Sequence, residues 1–536
     1  IWIKHNFLKN IDMKTNKIFL YIFIVFTSIS CESFLEEDPK SLISPDTFFA
    51  SENDARQAVQ GMYAILKNNS IYGQVGLDHF YDNGADIIEP NRAANFVQPI
   101  GNYTLNEALA DVSVQKMSVS DTWKDLYRTI LNANVIIDRV TGNENIGVQA
   151  VRTEIIAETR FIRGLCYWHI TNLWGAAPYY TEVLTLEEIS KLGRTDEATI
   201  IAGTLEDLQF AQDNLEDTYT GNESGRASKW AAAIIMAKIY MKQKQWQLGL
   251  TKCEEIINQS PHTLLANYND VFDPFNEYNA EIIWSLDFAK DIEGIFDPAF
   301  PGRSFAGNNS WRPSMFNPRL RDEPKNSDER DALGAALAAR GEAFNGTGLQ
   351  VASKDFAAKF PLNDKRRELN IVDNYLGFDL VFPYMAKFWN LELDRSPRFN
   401  HSDNRMVFRL GDVYLMAAEC ENELNGPTAK ALNYMHAIRK RAYDDQADWD
   451  ITGVNQQEFR EAMYDERKWE LAAECHRRYD LIRWGILLDV VQNLEYRFWQ
   501  PNVNIKPYHV KLPIPLQELE LNPALLESDP TNNGYR

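Results

Sequence analysis

Twice in this chain a helix rich in small residues is followed, after a tight turn, by a second helix. No other feature of the sequence constrains the fold as much. From Lys229 to Ile257 the order is Ala233 and Ala237, then Tyr240, a turn, Trp246 and a second helix. Arg409 to Arg441 repeats it with Ala417 and Ala418, a turn at Asn425-Gly426-Pro427, and Ala429 to Arg441. Small side chains let paired helices approach closely, and stacked pairs bury a core that one pair cannot enclose. Apolar residues at three- and four-residue spacing predict further helices. One covers 53–66, with Ala55, Ala58, Val59, Met62 and Leu66 on a face. Asp121 is expected to cap the next, which carries Trp123, Leu126, Tyr127, Ile130 and Ile137. Others are expected over 151–173, ended by Gly175 and Pro178, and over about 203–215, 228–243 and 246–258.

The two-helix unit resembles a tetratricopeptide repeat. The expected fold is mainly α: a tetratricopeptide-like helical-pair scaffold (an α–α superhelix) with an irregular loop-rich insertion and minor β. Residues 51–259 form the N-terminal scaffold with early binding loops. Over 260–404 Pro and Gly rise and periodicity weakens, with a strand-like piece at Glu281–Phe288 and an irregular stretch from Phe300 to Leu320. Long loops of this kind inside compact domains are usually functional or disordered, so 260–404 is expected to be the ligand side. Residues 405–536 hold the C-terminal helical pair.

The N-terminus carries an export signal. Met13, Lys14 and Lys17 precede nine apolar residues, Ile18 to Phe26, then Thr27, Ser28, Ser30 and Cys31. This is a basic region, an apolar core and a small-residue cleavage site. The apolar run is too short to span a bilayer, which takes about 20 residues. Residues 13–30 are therefore expected to be a lipoprotein signal, with Cys31 the lipid-attachment residue and 31–50 a tether. Residues 1–12 precede the sensible start and are set aside. Removing residues 1–30, with four lysines and one aspartate, takes the formal charge from −21 to −24. So acidic a chain is ill suited to nucleic acid, whose binding draws on Lys and Arg. Cys166, Cys253, Cys420 and Cys475 each sit in an apolar helical pattern and none forms a C-x-x-C pair, so buried free thiols are expected rather than disulfides or zinc.

Catalytic spacing is missing: there is no H-E-x-x-H, G-x-S-x-G or phosphate-binding glycine loop. Cys475 and His476 are adjacent, which would place them on different sides of a helix. Glu466 and Glu470 stand one helical turn apart, as a glycosidase pair could, but Asp465-Glu466-Arg467-Lys468-Trp469-Glu470 interleaves acids and bases in the manner of structural ion pairs. The arginines of Arg477-Arg478-Tyr479-Asp480-Leu481-Ile482-Arg483-Trp484-Gly485 are expected to bond carboxylates such as Glu466 and Glu470 and lock helices together. No cofactor or metal is expected.

That last run, with Asp465-Glu466-Arg467 and Glu470-Leu471 before it, resembles the C-terminal signature of the SusD/RagB family. Phe408-Arg409-Leu410-Gly411-Asp412-Val413-Tyr414-Leu415-Met416-Ala417-Ala418-Glu419 resembles a family helix, with Gly411 in place of the usual Ala. Ala437-Ile438-Arg439-Lys440-Arg441-Ala442, Arg160-Phe161-Ile162-Arg163-Gly164, Trp174-Gly175-Ala176-Ala177-Pro178 and Gly225-Arg226-Ala227-Ser228-Lys229-Trp230-Ala231-Ala232 are similar to further family elements, as is the closing Leu512-Pro513-Ile514-Pro515. The resemblance implies four tetratricopeptide-like pairs and a loop-rich half carrying the ligand site. It also implies a lipid-anchored protein of the cell outer membrane, partnered by a SusC-like TonB-dependent transporter. The ligand would be an oligosaccharide, or a peptide in the RagB branch, taken up without cleavage; a surface glycan-active enzyme is the remaining alternative.

No motif fixes the site. Sugar faces stack on aromatic planes while polar side chains satisfy hydroxyls. Trp311 beside Asn308, Asn309 and Arg312 is the first expected platform, and Phe96 near Arg92 and Asn95 the second. Asp82 and Asp86 are expected either to accept hydroxyl protons or to cap turns.

Overall fold

Capping side chains set where the scaffold helices begin. In the computed structural model, which describes residues 48–73, 76–91, 98–112, 117–289, 310–392 and 401–536, Ser51 accepts the Asp54 amide and opens α1, Glu52–Leu66. Helix α2, Val119–Val140, starts at a capping box in which Ser118 and Asp121 satisfy each other's amides. Asp121, expected at the cap, is thus the third helical residue. Helix α3, Gln149–Leu173, ends before Gly175, whose φ of +75° suits a residue without Cβ. Asp196 caps α4, Glu197–Asn214, six residues ahead of the expected start. Then follow α5, Lys229–Lys242; α6, Trp246–Gln259; α7, Leu410–Asn425; α8, Ala429–Ala442; and α9, Gln456–Glu470.

From α1 to α8 each helix packs on its successor, and α9 returns onto α7. Four successive pairs form one stacked array across Ser51–Arg536. Small residues act here as the pattern suggested. A Cβ at Gly164 of α3 would stand 3.1 Å from Leu208 of α4, and one at Gly249 of α6 would stand 3.1 Å from Cys420 of α7. Helix α5 is buried on nearly all sides, from Trp230 through Ile239, as a mostly apolar helix must be, and its one buried charge there, Lys238, is paired with Asp412.

Among the described residues, three two-stranded antiparallel ladders each draw at least one strand from the insertion. Strand β1, Ile88–Pro90, pairs with β3, Gln350–Ala352; β2, Ile282–Leu286, with β6, Arg405–Arg409; and β4, Val372–Tyr375, with β5, Phe378–Tyr384. The strand expected at 281–288 is β2, all five of its residues buried. Phe408 and Arg409, expected to open a helix, belong instead to β6: Arg409 is extended, with φ −139° and ψ 159°, and α7 starts at Leu410. Phe316, Phe356, Phe360 and Trp469 anchor the core between insertion and scaffold.

Cys166, Cys253 and Cys420 are buried free thiols within helices. Cys475 is also free but not helical. It lies with His476 in a turn before α10, Arg477–Trp484, and both Ala473 and Cys475 have positive φ. The C-terminal tail docks on α3: the Leu512 amide donates to the Leu173 carbonyl at 2.7 Å, and Trp174 Nε1 to the Pro513 carbonyl at 3.0 Å.

Candidate ligand-binding face

The signature carboxylates lie inside the protein, paired with arginines. Glu466 and Glu470 on α9 are fully buried. Glu470 is held by Arg366 at 2.9 Å, Arg409 at 2.7 Å and Arg441 at 2.5 Å. Arg366 and Arg439 hold Glu466. Arg409 reaches on to Glu281 and Glu474, and Glu474 takes Lys387 at 2.7 Å. These ions come from the scaffold (α8, α9) and from the irregular half (Glu281, Arg366, Lys387), so the network fastens one to the other.

The expected partners of the next run are corrected. Arg477 does not meet Glu466 or Glu470; it grips Asp86 through two bonds of 2.6 and 2.7 Å. Arg478 donates to the Phe80 and His509 carbonyls. Arg483 bridges Asp480 and Glu419, and Arg467 joins Asp480 to Asp412. The arginines do lock elements together, through carboxylates that the linear spacing does not reveal.

Acid should therefore loosen the fold. Burial alone would raise the Asp480 carboxyl, but Arg467 and Arg483 outweigh it and hold it down at about 2. Against the same burial, Arg441, Arg409 and Arg366 keep Glu470 well below the carboxylate range. Unfolded carboxyls titrate near about 4. A group whose folded pKa is the lower contributes its stability fully above that value and loses it as pH falls through the folded pKa. The urea midpoint is expected to fall steeply between about pH 4 and 2, Asp480 alone accounting for on the order of 2 kcal/mol. A midpoint that stays flat across that window contradicts the network's role.

Several loops are also tied to one another among the described residues. The Trp311 amide donates to the Gly73 carbonyl at 2.9 Å. Ser310 and His401 exchange backbone bonds of 2.8 and 3.1 Å. Asn91 donates to Leu349 and Gly348, and the Thr347 amide to the Ser314 carbonyl at 2.7 Å. The segments 74–75, 92–97, 290–309 and 393–400 lie outside the described residues. Each leaves or rejoins the described fold at one of these tied residues: Gly73, Asn91, Ser310 or His401.

The expected platform residues fare unevenly. Trp311 is fully buried at this joint, leaving no exposed ring face for stacking. Arg312 is buried too, paired with Asp78 at 3.1 Å and lying over the Phe388 ring at 3.4 Å. The polar neighbours of Trp311 suggested an exposed indole, but the ring is buried and its amide bonds Gly73. Asn308, Asn309, Arg92, Asn95, Phe96 and Cys31 lie outside the described residues. Asp82 takes the capping role: it is buried and accepts the Cys475, His476 and Arg477 amides, at the positive end of α10. Asp86 is the partner of Arg477.

Two groupings invite a chemical reading. Asp78, Asp82 and Cys475 each place a ligand atom within 4.8 Å of the others. Both acids already have protein partners, since Arg312 and Arg405 pair with Asp78 and three amides serve Asp82. Ser314 Oγ lies 2.8 Å from His401 Nε2, and His401 Nδ1 lies 3.7 Å from Asp403. That is the order of a nucleophilic relay, but 3.7 Å exceeds a hydrogen bond, and Ser314 and His401 are 1% and 0% exposed. The Ser314–His401 bond ties the helix Arg312–Phe316 to the loop junction.

Stacked helical pairs fastened by a buried ion network to an irregular half define a helical-repeat scaffold. The chain belongs to the SusD/RagB family. A family model described as "SusD family" matches residues 380–535, and one described as "Starch-binding associating with outer membrane" matches 33–241. SusD-like protein P25 of Formosa agariphila is 70% identical, over 98% of this chain and 100% of its own. The starch-binding protein SusD of Bacteroides thetaiotaomicron is 24% identical over 76% of this chain and 77% of its own. In fold, the chain is similar to surface glycan-binding protein A of B. thetaiotaomicron, solved with laminarihexaose. The TM-score is 0.70 and the identity 18%, covering 90% of this chain and 100% of that one.

Proposed function

We propose that this protein captures oligosaccharide or polysaccharide at the loop junction and delivers it uncleaved to a SusC-like TonB-dependent transporter. The observation that carries the reading is the set of bonds from Trp311 to Gly73, between Ser310 and His401, and from Asn91 to Gly348 and Leu349, which knits the early loops to the irregular half. The starch and laminarihexaose in the names of similar proteins support carbohydrate as the ligand class. The outer-membrane wording of the matched family supports the location. The buried, over-long Ser314–His401–Asp403 alignment supports binding without hydrolysis.

Calorimetric titration with starch, laminarin and other polysaccharides is expected to show binding with no shortened products on prolonged incubation. Binding of peptides alone would move the protein to RagB-like peptide uptake, and shortened glycans would make it an enzyme. Cys31 is proposed as the lipid anchor. Cys31→Ser is expected to shift the protein from the membrane to the soluble fraction with an unchanged melting profile; retention in the membrane would remove that assignment.

A further inference from the structure

A second cleft lies between the 217–228 segment that joins α4 to α5 and residues 278–285 leading through β2; Ile282 and Ser285 border both it and the cavity beside Ser310 and Arg312. Its volume is about 560 Å³, within the roughly 300–1,000 Å³ typical of small-molecule sites. Its walls are fixed. Trp284 Nε1 donates to the Gly225 carbonyl at 3.1 Å, and the Ala227 amide donates to Tyr63 Oη at 3.0 Å. Arg226 is clamped by Glu154, Glu158 and Glu223.

Two aromatic rings border the cleft. The Tyr219 ring lies against the Arg226 guanidinium, 4.2 Å from it, and is half-buried. Tyr278 is 49% exposed. Hydrogen-bonding groups without protein partners line it as well. Ser228 Oγ and Ser285 Oγ belong to residues only 3% and 2% exposed, and neither atom has a partner; nor does His262 Nε2. Ser228 occupies the N-cap of α5 yet makes no capping bond with its side chain, although serine there ordinarily does. Buried hydroxyls and ring nitrogens are nearly always hydrogen-bonded, so three lining one cleft imply a partner from outside the chain. The charges beside them are committed: Arg226 to three glutamates, and Asp217 to Lys229 at 2.6 Å.

We infer that this cleft is a binding site for a short neutral carbohydrate in its own right, beside the loop junction. Tyr278 and Tyr219 supply ring faces, while Ser228, Ser285 and His262 meet hydroxyls. Ring faces with a few fixed polar groups suit a neutral polyol, and a charged ligand would find no uncommitted counter-charge. The inference does not depend on which ligand the loop junction takes.

Backbone hydrogen exchange of the full chain, with maltotriose, laminaritriose and cellotriose as separate probes, locates the binding. At least one trisaccharide is expected to slow exchange in 217–228. Tyr278→Ala, at an exposed position, is expected to weaken that protection at least tenfold in ligand concentration. Ser285→Ala, which removes a hydroxyl with no protein partner, should weaken it with the melting temperature unchanged. Polysaccharide binding at the loop junction should survive Tyr278→Ala. Absence of protection in 217–228 with all three probes would overturn the site. Protection by a sulfated trisaccharide alone would overturn the neutral class, and undiminished protection in both variants would overturn the residue assignment.

Discussion

Glu470→Gln is expected to destabilise the protein by about 3–5 kcal/mol, the usual cost of removing one partner from a buried ion network. Glu470 is fully buried and shared by Arg366, Arg409 and Arg441. A neutral amide in its place leaves three guanidinium groups short of counter-charge where water cannot reach them. The effect should appear as a lower urea midpoint. Arg460→Ala provides the contrast, because the Arg460–Glu423 pair is 27% and 16% exposed and such pairs contribute under about 1 kcal/mol. Equal losses in the two variants would mean that burial of the network adds nothing.

Trp174→Ala should cost about 3–5 kcal/mol, the range for deleting a buried large aromatic side chain. The indole is fully buried, edge-on to Trp123 with ring centroids 5.1 Å apart, and its Nε1 bonds the Pro513 carbonyl. The loss should be local first. Hydrogen exchange over 512–536 is expected to speed up well before the α5–α7 core does, since the tail relies on Trp174, Leu173 and the Arg194–Asp529 pair at 2.7 Å. Uniform acceleration along the chain would contradict a docking role.

Much of the scaffold was legible because a helix repeats its signal every three or four residues. Starts were read less well: Asp121 proved the third residue of a capping box, and α4 began at the cap Asp196 rather than near Gly203. The β6–α7 boundary was hidden because extended Arg409 is specified by pairing with Ile282, far away along the chain. Gly411 stood out only as a departure from the family helix. In the structure a methyl group there would run into Arg409 Nη1 and crowd Glu281 and Glu470, so glycine leaves the ion cluster its room.

The site was the least legible part. Glu466 and Glu470 were read correctly as structural, yet Arg366 and Arg409, which hold them, come from the irregular half and from β6, too far back along the chain for helical spacing to link them to α9. Trp311 was chosen for its polar neighbours, whereas the fold buries its ring and ties its backbone to Gly73, a contact distant in sequence. Tyr219 and Tyr278 carried no local signal, because only the fold brings their two loops together.

The capping of α10 by Asp82 has a consequence for how the chain acquires its structure. The carboxylate meets amides 393 to 395 residues further on, and Asp86 meets Arg477 at a separation of 391. Contacts so distant in sequence form slowly, since chain entropy is lost before they give anything back. A polypeptide made from its N-terminus holds these early carboxylates without their partners until almost the whole of it has been synthesised. The last 60 residues thus act as a clasp, and a chain cut short before Arg477 would stay open and prone to aggregation even with most of its repeats present.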